Sequence, residues 1–286
     1  MKACSINGRC VSGADASISV MDHGLLYGDG IFEGLRYYSG QVFRMTEHLE
    51  RLEDSARAIA LTLPYDRAWF VNETNRVIEE AGLDDGYIRL VVTRGKGSLG
   101  IDPRTCREPQ VIIIADELQL MPAERVAAGI DVVIASTRRL GLAQLDPRIK
   151  SLNYLNNLLA RLEANAAGAD EAVLLNEAGH VAEGTADNIF VVKNGILTTP
   201  PATDGALLGI TREVVLDIAK SLGIVVIEAS LGPYDLFTAD AVFLTGTGAE
   251  LIPVKTVSGR ELPVIGGEVY RRIACRFEQT VREHAA

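Results

Sequence analysis

The stretch from Arg148 to Leu162 constrains the fold more than any other part of the chain. Leu152, Leu155, Leu158, Leu159 and Leu162 recur there at helical spacing, which predicts a core-facing helix running to about Gly168. Ser151 is placed to cap its start and Gly168 to stop it. Lys150 stands just ahead of the first turn, where an amine can project from the helix end into a cleft. Only six of the chain's 28 basic residues are lysines. Taken alone, Lys150 reads as a solvated side chain beside a cap.

The surrounding segments predict a mixed α+β / α/β chain. Asn7-Gly8 is a hairpin turn among short strands over residues 3–20, and Ser39-Gly40 turns a hairpin over residues 31–44. Residues 21–30 form a glycine-rich loop carrying Tyr27. Thr46 is the expected cap of a helix from Glu47 to about Leu61, and Asp66 that of a helix ending at Gly82. Tyr87–Arg94 and Gln110–Ala115 are rich in β-branched residues and predict buried strands. The first half lacks a regular strand–helix–strand alternation, so an α+β sheet is expected rather than a dinucleotide-binding unit. Residues 116–128, with Pro122, break the pattern. The expected division is a smaller N-terminal domain over 1–118, a linker loop over 119–128 and a larger C-terminal domain over 129–286. The second half predicts strands near 130–135, 171–176, 225–229 and 241–245, a hairpin turning at Asn194-Gly195, and helices over 210–222 and 268–282.

Composition excludes several function classes. A formal charge of -10 argues against a general nucleic-acid binder. No apolar run approaches the roughly 20 residues of a membrane helix, and residues 1–8 lack a signal-peptide core. Cys4, Cys10, Cys106 and Cys275 are scattered and read as reduced thiols, so a cytoplasmic location is expected. His23, His48 and His180 show no metal-ligand spacing. Gly95-Lys96-Gly97-Ser98-Leu99-Gly100 matches a dinucleotide fingerprint in letters, but Pro103 follows where a helix should begin, and the match reads better as a loop. Asn72-Glu73-Thr74 matches a glycosylation signal inside a predicted helix and reads as accidental.

Four features carry chemistry together. Gly209-Ile210-Thr211 opens a helix and Thr245-Gly246-Thr247-Gly248-Ala249 follows a strand. Each is either an ordinary cap or turn, or a phosphate cradle of backbone N–H groups and hydroxyls. Glu183 either satisfies backbone donors on a turn or pairs with a cationic ring nitrogen. Arg51 lies among Glu47, Glu50 and Asp54 and from spacing alone reads as part of a charge-paired helix face. With Lys150, these are the parts of a pyridoxal-phosphate site: a lysine for the aldehyde, a carboxylate for the ring nitrogen and helix-end donors for the phosphate.

The chain resembles the fold-type IV (class IV) aminotransferases of pyridoxal phosphate, the two-domain fold of the D-amino acid aminotransferases, and most closely their branched-chain amino acid group. The likeness runs from Tyr27-Gly28-Asp29-Gly30-Ile31-Phe32-Glu33-Gly34-Leu35-Arg36 to Gly246-Thr247-Gly248-Ala249-Glu250. It implies pyridoxal 5'-phosphate as cofactor and Lys150 as the residue that holds it and shuttles the proton. Glu183 would hold the ring nitrogen and Tyr154 the ring oxygen, while Arg51, Ile210, Thr211 and Thr247 would bind the phosphate. Tyr27, Phe32, Gly34, Tyr87 and Arg89 match the substrate pocket, and the N–H groups of Gly248 and Ala249 the substrate-carboxylate site. Amino acids and 2-oxo acids are the implied substrates, Leu, Ile and Val donating to 2-oxoglutarate by a ping-pong mechanism, in a homodimer or an assembly of dimers. D-amino acid aminotransferases and aminodeoxychorismate lyases share the cofactor residues. Lys96 stands where the D-amino acid group carries an Arg-x-His arrangement. A non-catalytic binder of phosphate ligands would leave Lys150 and Glu183 without a joint purpose.

Overall fold

A computed structural model describes residues 1–118 and 121–285. Its contacts divide the chain into two units: Met1–Gln119 with Ile149–Asn153 and Val281–Ala286, and Leu120–Arg148 with Tyr154–Thr280.

The first unit is built on β1 (Ala3–Ile6), β2 (Arg9–Cys10), α1 (His23–Tyr27), β3 (Gly30–Tyr38), β4 (Gln41–Val42), α2 (Met45–Ala58), α3 (Arg67–Ala81), β5 (Gly86–Thr93) and β6 (Gln110–Asp116). The strands form one sheet in the order β2-β1-β6-β5-β3-β4. The alternation of side chains along each strand decides its faces. Ile31, Leu35, Tyr37, Ile88, Leu90, Val92, Val111, Ile113 and Ala115 are inaccessible and share a core with Leu49, Leu52, Phe70 and Val77 of the helices. Phe32, Gly34, Tyr87 and Arg89 alternate with the core residues and point to the opposite side. Asp66 caps α3 by accepting from the Trp69 N–H at 2.8 Å, as the sequence predicts, and Gly82 ends it at φ 63°. Thr46 is not a cap: α2 begins a residue earlier, after Arg44 in the left-handed region. The glycine-rich loop holds the short helix α1, opened by the Asp22 carboxylate accepting from the Gly24 N–H and ended at Gly28.

The second unit contains α4 (Ala123–Ala127), β7 (Ile130–Arg138), α5 (Leu155–Ala166), β8 (Glu171–Leu175), β9 (Val181–Gly184), β10 (Asn188–Lys193), β11 (Ile196–Thr199), α6 (Ile210–Ser221), β12 (Val226–Glu228), α7 (Pro233–Phe237), β13 (Ala241–Gly246), β14 (Glu250–Val257), β15 (Arg260–Glu261) and α8 (Gly267–Ala285), whose last residues fall in the first unit. The strand order is β12-β11-β10-β13-β14-β7-β8-β9, with β15 beside β14. Helix α4 lies within the segment expected to be a loop, and residues 119 and 120 of that segment are outside the described residues.

Helix α5 corrects the reading of its leucines. Its buried residues are Asn157, Ala160 and Ala164. Leu155, Leu158, Leu159 and Leu162 are 46–69% exposed in the single chain. The helix packs on the sheet through its small face: Ala160 and Ala164 meet Ala135, Ala172 and Leu174 in one cluster. Glu163 fixes the same approach, accepting from both the backbone N–H and the hydroxyl of Ser136 and Thr137, which hold its carboxyl down at about 2. Ser151 is not the cap. The helix starts after Tyr154, and Ser151 forms an isolated bridge with Ile31 on β3.

Candidate active site

In the first unit, residues 149–153 line the part of β3 that the two-residue β4 leaves uncovered. The Phe32 N–H donates to the Lys150 carbonyl at 2.9 Å, the Leu152 N–H to Gly30 O at 3.0 Å, and the Lys150 N–H to Ser55 Oγ at 3.2 Å. The Ser151 N–H also donates to Ile149 O at 2.8 Å, closing a tight turn on Lys150, and the Lys150 side chain lies over Phe32, with Nζ 4.6 Å from the ring centroid. The Arg89 guanidinium lies 4.6 Å from the same centroid and 5.5 Å from that of Tyr87. Gly34 faces Arg89 across the ladder. A methyl at Gly34 would come within 2.0 Å of the Tyr87 hydroxyl oxygen, so glycine is what lets that ring lie across β3. Burial pushes the Tyr87 phenol up, keeping it a neutral donor. Lys150, Phe32, Gly34, Tyr87 and Arg89 are thus brought together.

Arg51 is tied to the core-facing side of β3. Its Nε and Nη2 donate to the two oxygens of Glu33, each at 2.8 Å, and Glu33 Oε2 also lies 2.8 Å from His48 Nδ1. Glu33 is fully buried. Its burial favours the neutral acid, but Arg51 and His48 together outweigh that and hold the carboxyl well below its usual range. Burial lowers His48, which stays neutral with its Nδ1–H on Glu33. Glu33 stands between two residues of the family motif, and only the strand alternation, which sets it inward with Ile31 and Leu35, marks it in the sequence.

Tyr27 is the last residue of α1 in the same unit. Its hydroxyl donates to Leu99 O and its ring packs edge-on against His23, 4.9 Å between centroids. The His23 ring holds Ser98 O at 2.8 Å. Gly95 and Gly97 serve this loop rather than a nucleotide: a methyl on Gly95 would reach 1.9 Å from Glu108 O, and one on Gly97 2.5 Å from both Cys106 Sγ and His23 Nε2. A single 3-10 turn, Pro103–Thr105, follows.

In the second unit Glu183 sits within β9, opposite Leu174, not on a turn. Its side chain is 7% exposed, with Oε1 2.8 Å from Arg139 Nη2 and Oε2 accepting the Leu207 N–H at 2.8 Å. The same Leu207 offers its carbonyl to Asn188 Nδ2 at 2.8 Å, and a methyl on Gly209 would meet Asn188 Oδ1 at 2.0 Å. Asn188 pairs with Thr245 across the ladder, and a methyl on Gly246 would meet Asp187 Oδ1 at 2.2 Å. The Asp187-Asn188 turn therefore lies against both glycine-bearing segments. Gly209 leads into the twelve-residue α6, which opens with Ile210 and Thr211, while Thr247, Gly248 and Ala249 form the half-buried turn between β13 and β14. Tyr154 stands half-buried at the start of α5. The sequence reading missed Arg139, Asn157 and Asn188, which carry no local signal beyond a polar residue beside an apolar run.

Residues 30–257 match the model of the family described as amino-transferase class IV. A Methanocaldococcus jannaschii protein is 47% identical over 277 residues, 96% of this chain and 94% of its own. The branched-chain-amino-acid aminotransferase of Escherichia coli K12 is 38% identical, over 88% of this chain and 84% of its own. Among solved structures, the Escherichia coli branched-chain amino acid aminotransferase superposes with a TM-score of 0.93 at 35% identity, covering 97% of this chain and 93% of that one. The branched-chain aminotransferase of Thermoproteus uzoniensis with norvaline gives 0.92 at 36% identity, covering 99% and 95%. The family match and the superposed structures thus define a fold-type IV transferase. The chain belongs to the class IV aminotransferases.

Enzymes of this class use pyridoxal 5'-phosphate, and a similar structure was solved with pyridoxamine 5'-phosphate. The residues present fit that group. The first unit offers an amine over an aromatic floor. The second offers a buried carboxylate on β9, a helix N-terminus with a buried threonine, and a Thr245 hydroxyl that is buried without a hydrogen-bond partner among the described residues.

Proposed function

We propose that the chain transfers the amino group of branched-chain L-amino acids (Leu, Ile, Val) to 2-oxoglutarate by a ping-pong mechanism. The observation that carries this reading is the aromatic surface beside Lys150, where the Phe32 ring lies under the amine, Gly34 leaves room for the Tyr87 ring and Arg89 lies against both rings. The printed names of the relatives support it. Pyridoxal 5'-phosphate, when bound, supplies an electron sink for charge developing on the substrate's α-carbon. Lys150 would hold its aldehyde, and the same amine is placed to serve as the base that would move the proton at that carbon. Glu183 holds the ring nitrogen and Tyr154 the ring oxygen. Arg51, the helix start at Ile210 and Thr211, and Thr247 hold the phosphate, where N–H dipoles and a cation offset its charge. Tyr27, Phe32, Gly34, Tyr87 and Arg89 shape the side-chain pocket, and the Gly248 and Ala249 N–H groups take the substrate carboxylate.

The test is the visible absorbance of the cofactor-loaded protein with L-leucine or D-alanine added separately. Loss of the band with L-leucine alone is the expected result. Loss mainly with D-alanine assigns the chain to D-amino acids, and release of pyruvate from aminodeoxychorismate without a 2-oxo acid acceptor assigns it to the lyases.

We further propose a homodimer or an assembly of dimers, in which the exposed leucines of α5 are covered. Light scattering is expected to give at least twice the 30.8 kDa of one chain, and a mass of one chain overturns this. A cytoplasmic location is proposed as well, supported by four cysteines that are all free. No helix among the described residues is long and apolar enough to cross a membrane.

A further inference from the structure

Glu183 is fastened by a buried cation that no part of the reading above uses. Arg139, 8% exposed, follows β7 and spends its three kinds of N–H on three partners. Nη2 meets Glu183 Oε1 at 2.8 Å, Nη1 donates to Asn157 Oδ1 at 3.2 Å, and Nε donates to Gly205 O at 3.2 Å. The stem passes close over Gly205, which sits at φ 104° and would bring a methyl within 3.2 Å of Arg139 Cγ. Asn157 is itself locked, its Nδ2 donating to Thr185 O at 2.7 Å. The guanidinium plane is thereby set by three elements, unlike a surface pair free to wander.

We propose that Arg139 is a positioning residue for the reaction: it keeps Glu183 ionised and fixes its rotation, so that the carboxylate meets the cofactor's ring nitrogen as an anion. This rests on the reading that Glu183 holds that nitrogen. A carboxylate taken out of water with no cation beside it tends to bind a proton. As a neutral acid Glu183 could no longer favour the protonated ring, and the electron sink would weaken. The Leu207 N–H on Oε2 and Arg139 on Oε1 occupy one direction on each oxygen, and a carboxylate accepts about four bonds in all. With both oxygens held, the group can no longer turn.

The experiment compares wild type, R139M, R139K, E183Q and R139M/E183Q, all loaded with pyridoxal 5'-phosphate. The readouts are the pH dependence of the bound cofactor's absorbance, its dissociation constant, and kcat and KM for L-leucine. R139M is expected to reproduce the spectral change of E183Q, with kcat down by about 100-fold, the scale of losing one preorganised partner. KM should move less than about threefold, and the double variant should be no worse than E183Q, because both act through one group. R139K, keeping the charge but not the fork, should fall between. A wild-type spectrum and kcat in R139M, with only lower resistance to urea, makes Arg139 structural and overturns the proposal. Should R139M not fold, N157A replaces it, with a smaller change in the same direction expected and an unchanged spectrum overturning the proposal. If E183Q itself behaves as wild type, the reading of Glu183 fails. If E183Q is impaired while both Arg139 variants are not, only the present inference fails.

Discussion

Lys150→Ala is expected to lower transamination on the order of 10^4-fold or more, as when a residue that both bonds and moves protons is lost. The fold should be untouched. Lys150 is held through its backbone, by Phe32, Ser55 and the neighbouring bridge of Ser151 to Ile31, none of which uses the amine. Thermal unfolding of the cofactor-free variant should therefore stay close to that of the cofactor-free wild type. Methylamine in the medium should restore part of the rate, since a free amine can do part of the proton transfer. Turnover within tenfold of wild type would sink the assignment.

Glu33→Ala is expected to be the most destabilising single change near the site, by about 3–5 kcal/mol, the cost of removing one partner of a buried ion pair. Alanine would strand the Arg51 guanidinium and leave His48 Nδ1 without its acceptor. Urea titration at pH 7 measures this, and an unchanged midpoint refutes it. Glu33→Gln, which keeps the shape and one acceptor oxygen, should cost less. The same trio makes the first unit sensitive to acid. The His48 pKa is lowered from 6.5, so its neutral form is favoured in the fold and its share of stability is present above pH 6.5 and fades below it. Glu33, lowered from 4.5, adds stability above pH 4.5 that is lost as the pH falls further. Stability should decline in two stages on acidification, and Glu33→Gln should lack the second.

Local chemistry was legible at several turns and at one helix cap, though not at Thr46 or Ser151. Asn7-Gly8 and Asn194-Gly195 both place an asparagine and a glycine at positive φ, as a tight hairpin requires, and Asp66 caps its helix. The family motifs located Lys150, Phe32, Gly34, Tyr87 and Arg89, which the first unit does gather. What sequence periodicity leaves open is which side of an amphipathic helix meets the sheet. In α5 the leucines mark one stripe and Asn157, Ala160 and Ala164 another, and the small residues win the sheet because they permit close approach. Strand β14 was missed because Pro253 and Lys255 interrupt its apolar run: Pro253 pairs with Phe243, and Lys255 falls at an irregularity in the pairing with β7. Arg139 and Glu33 were missed for a different reason: their partners lie far along the chain, and a charge becomes informative only once those partners are known.

The small inner face of α5 also sets how far the effects of a remote change can reach. Ala160 and Ala164 act as shims, and their thickness fixes the height of the helix above the sheet. Asn157 rides on the same helix and touches both Arg139 and Thr185. A methylene or two added at either alanine would lift that amide from the guanidinium, and through it disturb the seat of Glu183. Two of the least reactive side chains in the protein thus hold the tolerance to which one of its carboxylates is set.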